Sequence, residues 1–293
     1  MGKKKNTSTG EELRKHSQIG DVWRQFCRNK LAVFGLVLAL LLVLTAIFAN
    51  YLAPYDPTEI SMDRLAMPSA EHLFGTDNFG RDILSRVIYG ARVSLLMSLL
   101  SLVIGVVIGV ILGATAGYFG GWYESLVMRF CDILMCIPGM LLAVCISALL
   151  GIGILNTAIA IAVGGMAPSV RMIRATVMQI RTQEFVEAAR ATGSGQFKII
   201  FHEIMPNILS PLIVDCTMRI GGNILQISGL SFIGLGVQPP TSEWGSIMSA
   251  GQQFITSFWP MITFPGIAIL LTVFAFNVMG DGLRDALDPR LKQ

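Results

Sequence analysis

The chain has 293 residues, of which 53% are hydrophobic and 14% charged, with a formal net charge of +3 and a mean hydropathy of +0.63. Soluble domains carry about 25% charged residues, so an ordinary soluble fold is excluded. Five stretches contain no Asp, Glu, Lys or Arg: 31–52, 93–123, 133–170, 220–242 and 244–280. A spanning helix needs about 20 apolar residues, and these stretches lack the alternation of barrel strands, so the class is an all-α polytopic membrane protein.

Residues 1–30 form a basic tail. It is too long and polar for the leading region of a cleavable signal and no A-x-A site follows, so 31–52 is expected to be an uncleaved first span. Residues 53–90 form the next loop, turn-rich at Pro54, Pro57 and Pro68. Within 81–92, Ile83, Leu84, Val87, Ile88 and Ala91 share one helical face, while Asp82, Ser85, Arg86 and Tyr89 share the other. Such a helix either lies along the bilayer surface or extends the second span outward. That span, 93–117, carries Gly105, Gly109, Gly113 and Gly117, a spacing that lets a neighbouring helix approach closely.

The run 133–170 is long enough for two spans, divided at the turn beginning Gly151-Ile152-Gly153. Pro138 and Pro168 stand where they can bend the two. The fifth span is expected near 208–230 and the sixth near 258–280, giving six transmembrane helices and a C-terminal tail over 282–293. The five cysteines show no metal-binding spacing and read as small apolar residues. Among charges inside spans, Asp132 is expected to pair with Arg129. Asp215 and Arg219, four apart on one helical face, fit either an internal pair or a pathway role.

Lys and Arg number 8 in 1–30, 1 in 118–129, 5 in 171–207 and 3 in 281–293, against Arg64, Arg81, Arg86 and Arg92 in the 53–92 loop. The bias places both termini in the cytoplasm, and 53–90 outside it.

The polar segment 174–207 is the most informative part of the chain. Residues 183–193 are good helix formers closed by Gly193, which suits a left-handed cap. Ala188, Ala189 and Ala191 keep one face thin, and Glu187 and Arg190 are spaced to pair. A second helix follows, with Phe197, Ile200, Phe201 and Ile204 forming an apolar stripe expected to rest on the membrane domain; Pro206 is expected to end it. This bracket is either a docking element or an interfacial loop without a partner.

Glu187-Ala188-Ala189, then Gly193, then Ile204-Met205-Pro206, resembles the EAA loop of ABC importer membrane subunits, with Met205 where Leu is usual and His202-Glu203 in place of the usual basic-His pair. The block 74–95, Gly117-Tyr118-Phe119-Gly120-Gly121-Trp122, Ser231 to Gly236 with Pro239-Pro240 and Trp244-Gly245, and the ending 280–290 are similar to C-type permease subunits of dipeptide, oligopeptide and nickel importers. The resemblance implies a type I importer (MetI-like) permease fold with its core over 91–281, in a bacterial plasma (inner) membrane. It also implies a second permease subunit, two ATPases docking on 183–193, and an extracytoplasmic substrate-binding protein. Peptide is the expected cargo, with nickel or another small solute as the alternative; no nucleic-acid partner is implied.

No Walker A loop occurs, so ATP and its Mg are expected on the partner ATPases and no cofactor on this chain. His202-Glu203 lacks the second His of a zincin, and no Ser stands in G-x-S-x-G. A membrane-embedded hydrolase therefore has no catalytic constellation to rest on, and a stand-alone carrier would be expected to show internal repeats, which are not found. Nothing in the sequence names the residues of the substrate pathway.

Overall fold

Asn29 starts the first span by accepting hydrogen bonds from the amides of Leu31 and Ala32 at 3.1 and 3.2 Å. In the computed structural model, which describes residues 18–287, this cap separates α1 (Gln18–Arg28) from α2 (Lys30–Ile47). After α3 (Ala49–Leu52) and a long loop come α4 (Ile83–Phe119), α5 (Gly121–Met135), α6 (Gly139–Leu150) and α7 (Ile154–Ile180). The polar bracket holds α8 (Glu184–Ala191), α9 (Gln196–Lys198) and a π-helical turn, Ile199–Ile204. The chain ends with α10 (Met205–Phe232), α11 (Trp244–Gly251) and α12 (Pro260–Leu287). Residues 1–17 of the basic tail and 288–293 of the C-terminal tail lie outside the described residues.

The glycine stripe of α4 packs on α7. Methyl groups added at Gly109, Gly113 and Gly117 would lie 3.0, 2.7 and 2.9 Å from Ser169, Val170 and Arg174 respectively. Both series rise together, so α4 and α7 run parallel. Arg181, at the end of α7, donates to the carbonyls of Gly117 and Tyr118 at the end of α4, at 2.8 and 3.3 Å. Two parallel helices require the intervening chain to return across the bundle, and α5 with α6 makes that crossing. The pair bends by 90° between Met135 and Gly139. Pro138 sits at the N-cap of α6, where its missing amide costs nothing. The described residues thus make six crossings, five by long helices and one by a broken one.

The remaining contacts fix the direction of every span. Arg92 of α4 donates to the terminal carbonyls Ala46 and Ile47 of α2, both at 2.9 Å. Gly35 and Gly282 bring α2 and α12 together antiparallel, against Ala275 and Ala32. Gly221 and Gly280 do the same for α10 and α12, against Val273 and Met218. As a result α1, α8 and the end of α12 share one face of the bundle, while the 53–82 and 233–259 segments share the other.

Several details differ from expectation. Of the two readings of 81–92, the extension of the second span is the one found, since α4 is continuous from Ile83; what differs is its polar face, which is turned inward with Ser85 and Arg86 buried. At about 1.5 Å per residue α4 is about 55 Å long, so it outreaches a hydrocarbon core of about 30 Å. Asp132 pairs with Arg171 of α7 instead of Arg129. Pro206 does not end a helix; it is the second residue of α10, and helical backbone runs unbroken from Gln196 to Phe232.

Candidate functional site

Helix α8 stands at the face shared by the chain ends, held by one buried anchor. Val186 is fully buried in a cluster with Tyr118, Val177, Ile180, Ile199, Ile200 and Ile204, and Ala189 packs against the same cluster. Glu184 and Glu187 occupy the first turn and Arg190 the last, each matched to the helix dipole. The helix closes as a Schellman motif: the amide of Ser194 donates to Ala189 at 3.1 Å and that of Gly193 to Arg190 at 3.0 Å. Gly193 has φ +79°, and no neighbour lies within 4 Å of the position a methyl would take. Glycine is therefore required there by backbone conformation, not by space.

The exposed side of α8 carries Glu184, Phe185, Glu187, Ala188, Arg190 and Ala191. Arg190 does not pair with Glu187; its guanidinium lies 5.3 Å from the centre of the Tyr118 ring, tying α8 to the end of α4. Pro206 is exposed at the base of α10. The structure thus brings Glu187, Ala188 and Gly193 to one outward surface, with Ala189 half-buried beneath it.

The stripe of the following segment is rotated from its expected position. Ile199, Ile200, Ile204 and Ile208 are buried, whereas Phe197 and Phe201 are 66% and 53% exposed. The cause is the π turn, in which the amide of Met205 reaches the carbonyl of Ile200 five residues back. One residue is added to the turn, so Ile199 and Ile204 stack and the phenylalanines swing out. Pro206 lies immediately after it and has no amide for an α-helical bond to residue 202.

On the opposite face the 74–95 and 231–245 motifs meet in a buried polar cap. Asp77 accepts from the Phe79 and Arg81 amides at 2.8 and 3.0 Å, from Arg81 Nε at 2.7 Å, and from Arg86 Nη1. Asp82 caps α4 through the amide of Ser85 at 2.7 Å and also meets His72 Nδ1 at 3.0 Å. Glu243 caps α11 through the amides of Gly245 and Ser246, at 3.0 and 2.9 Å, and accepts from Ser94 Oγ at 3.2 Å. Trp244 donates from its indole to the Val87 carbonyl at 2.9 Å, over Gly90. Spacing grouped Asp82, Ser85 and Arg86 on one helical face, but it gave no sign of Glu243 or Trp244, whose partners Ser94 and Val87 lie far away in sequence.

Inside the bundle, Arg219 donates to the Gly165 carbonyl at 2.6 Å and to Ser169 Oγ, and lies 3.8 Å from Asp215. Among the described residues no group of three His, Cys, Asp or Glu side chains is placed to hold a metal.

Residues 105–293 match the family model described as the binding-protein-dependent transport system inner membrane component, and residues 17–68 match the N-terminal transmembrane domain of oligopeptide transport permease C. The dipeptide transport system permease protein DppC of Escherichia coli K12 is 48% identical over 282 residues, 94% of this chain and 94% of that protein. The di/tripeptide permease DppC of Pseudomonas aeruginosa is 45% identical over 283 residues, 94% and 93% of the two chains. The glutathione permease GsiD of an Escherichia coli O6 strain is 43% identical over 274 residues, 93% and 90%. Among solved structures, the inward-facing MetNI methionine ABC transporter aligns with TM-score 0.57 and 21% identity over 70% of this chain and 98% of that one.

Proposed function

This chain belongs to the binding-protein-dependent transport system inner membrane components, as a permease subunit of an ABC importer, and we propose that it carries short peptides and takes its driving force through α8. The family implies ATPase partners and a substrate-binding protein. The reading adds that two ATPases grip residues 183–193, that a second permease completes the path, and that α8 and both chain ends face the cytoplasm. The chain itself then holds no nucleotide and performs no catalysis, the ATP and Mg belonging to the partners.

The observation that carries it is the construction of α8: an outward face of Glu184, Glu187, Ala188 and Ala191 on a helix locked from behind by Val186. A pull on that face is passed to α4 through Arg190 on Tyr118, and to α7 and α10 through the shared cluster. Closure of the ATPases would move three spans as a unit. The energy comes from the different affinity of the partners for ATP in their two states. Peptide cargo is supported by the dipeptide and glutathione permeases among the relatives.

Affinity purification of the tagged chain in mild detergent from its own cells tests the assembly. A second permease and a Walker-type ATPase should be recovered. Glu187→Lys should lose the ATPase while retaining the second permease. Both Glu187→Lys and Gly193→Pro should abolish dipeptide uptake with membrane insertion intact. Unchanged uptake in both variants would remove α8 as the coupling element.

A further inference from the structure

Between α7, α10 and α12 lies a cavity of about 560 Å³ lined by Met172, Ser210, Pro211, Asp215, Met218 and Arg284, among others. It is unusual in holding two ionisable groups against apolar walls. Charges on membrane-spanning helices face the bundle interior or a water-filled space, and mark solute paths. One role open to Asp215 there is to neutralise Arg219, four residues on.

The geometry separates the two. Arg219 is held without Asp215: Gly165 O receives Nη2 at 2.6 Å and Ser169 Oγ receives Nη1. Its berth is moulded for it, since a methyl at Gly165 would lie 2.6 Å from Nη2 and one at Gly105 3.7 Å from it. Asp215 stands apart, 3.8 Å from the guanidinium and 3.4 Å from Ser169 Oγ. A charge-assisted bond made for stability closes to about 2.7–2.9 Å. The side chain of Asp215 is 32% exposed against 15% for Arg219, so the carboxylate turns toward the cavity. Arg284, also in the lining, forms no ion pair with an acid among the described residues.

We propose that this cavity is a transit site for zwitterionic cargo, in which Asp215 receives the ammonium end and Arg284 the carboxylate end of a short peptide. A pocket of this size lies within the range that encloses small solutes, and opposite charges at its wall suit a molecule charged at both ends. Asp215 is then a selectivity residue of the path, and Arg219 the positioning residue that fixes the helix pair around it. This inference rests on the peptide reading above.

The test uses the complete importer in vesicles, with labelled dialanine as probe. Asp215→Asn should reduce initial uptake at least tenfold with the ATPases still co-purifying, and Asp215→Glu should stay within threefold of the unaltered complex. The double variant Asp215→Asn/Arg219→Gln discriminates between the roles. Return to the unaltered rate in it would show that only the charge balance mattered and overturn the proposal. Should Asp215→Asn fail to assemble, Ser210→Lys brings a cation to the cavity wall and should cause the same loss; normal uptake there also overturns it. If the unaltered complex imports no dialanine, the peptide reading falls and this inference with it. If it imports dialanine and Asp215→Asn is as active, this inference falls alone.

Discussion

Glu243 is a carboxylate buried among neutral partners, with no cation paired to it among the described residues. Burial pushes its pKa above the ordinary carboxylate range, and the amides of Gly245 and Ser246 and the Ser94 hydroxyl only partly oppose this. A group raised in the folded state contributes stability below its unfolded pKa and loses it as pH rises through the folded value. The buried polar cap should therefore gain from Glu243 as pH falls. Glu243→Gln removes that dependence, so the stability difference between the two proteins should shift toward the unaltered one on acidification. Thermal unfolding in detergent from pH 8 to pH 4.5 measures it, and a difference constant with pH would contradict the assignment. Asp77 works differently, because Arg81 and Arg86 both depend on it; removing one partner of a buried ionic set costs about 3–5 kcal/mol. Neither role was legible in the sequence. Asp77 and Arg86 are nine residues apart, Ser94 and Glu243 are 149 apart, and neither separation follows a helical period. What could be read was only that these motifs resemble a family's blocks.

At the scale of elements, legibility followed periodicity. The spacing of Gly105, Gly109, Gly113 and Gly117 announced a close helix neighbour, and α7 is that neighbour. Gly113→Leu should be the clearest disruption, since its first carbon would already lie 2.7 Å from the Val170 carbonyl and 2.9 Å from Ile173. Overpacking costs about 1–3 kcal/mol, and the partner here is backbone, which cannot turn aside. The variant should lower the melting temperature of the complex by size-exclusion after heating, whereas Gly222→Leu, on ordinary helical backbone in α10 and with nothing within 4 Å, should not lose packing there. A Gly113→Leu protein as heat-stable as the original would mean that α4 and α7 are not in close contact. Where the period fails, the reading failed with it. Counting every 3.6 residues packs Phe197 and Phe201 against the membrane domain; the π turn at Ile199–Ile204 leaves them exposed instead. Amphipathic alternation over 81–92 was likewise real, but its polar side faces the buried cap instead of water. A pattern tells which residues share a face, and only the surrounding contacts tell what that face meets.

For the whole molecule, the number of crossings decides which regions share a side of the membrane. Had α5 and α6 formed a re-entrant hairpin, five crossings would have placed the chain ends on opposite sides. The parallel register of α4 and α7 rules that out: their C-terminal ends are joined by Arg181, so the connection between them must traverse. The contact of Gln25 with the Asp285 carbonyl at 3.2 Å brings the two ends of the described chain together on the same face. Absolute direction is a separate matter, set by where Lys and Arg accumulate. Eight of the 22 lie before residue 31, and five lie in 171–207, on the face of α8. The expected topology is therefore α1, α8 and the end of α12 in the cytoplasm. Single cysteines on a cysteine-free background, at Ser194 and at Met62, provide the measurement with a membrane-impermeant maleimide on intact spheroplasts. Met62→Cys should label and Ser194→Cys should label only after lysis. The reverse pattern would invert the molecule and separate α8 from any cytoplasmic ATPase. Labelling of both in intact cells would break the six-crossing path, because α4 alone lies between one site and the end to which α8 is bound.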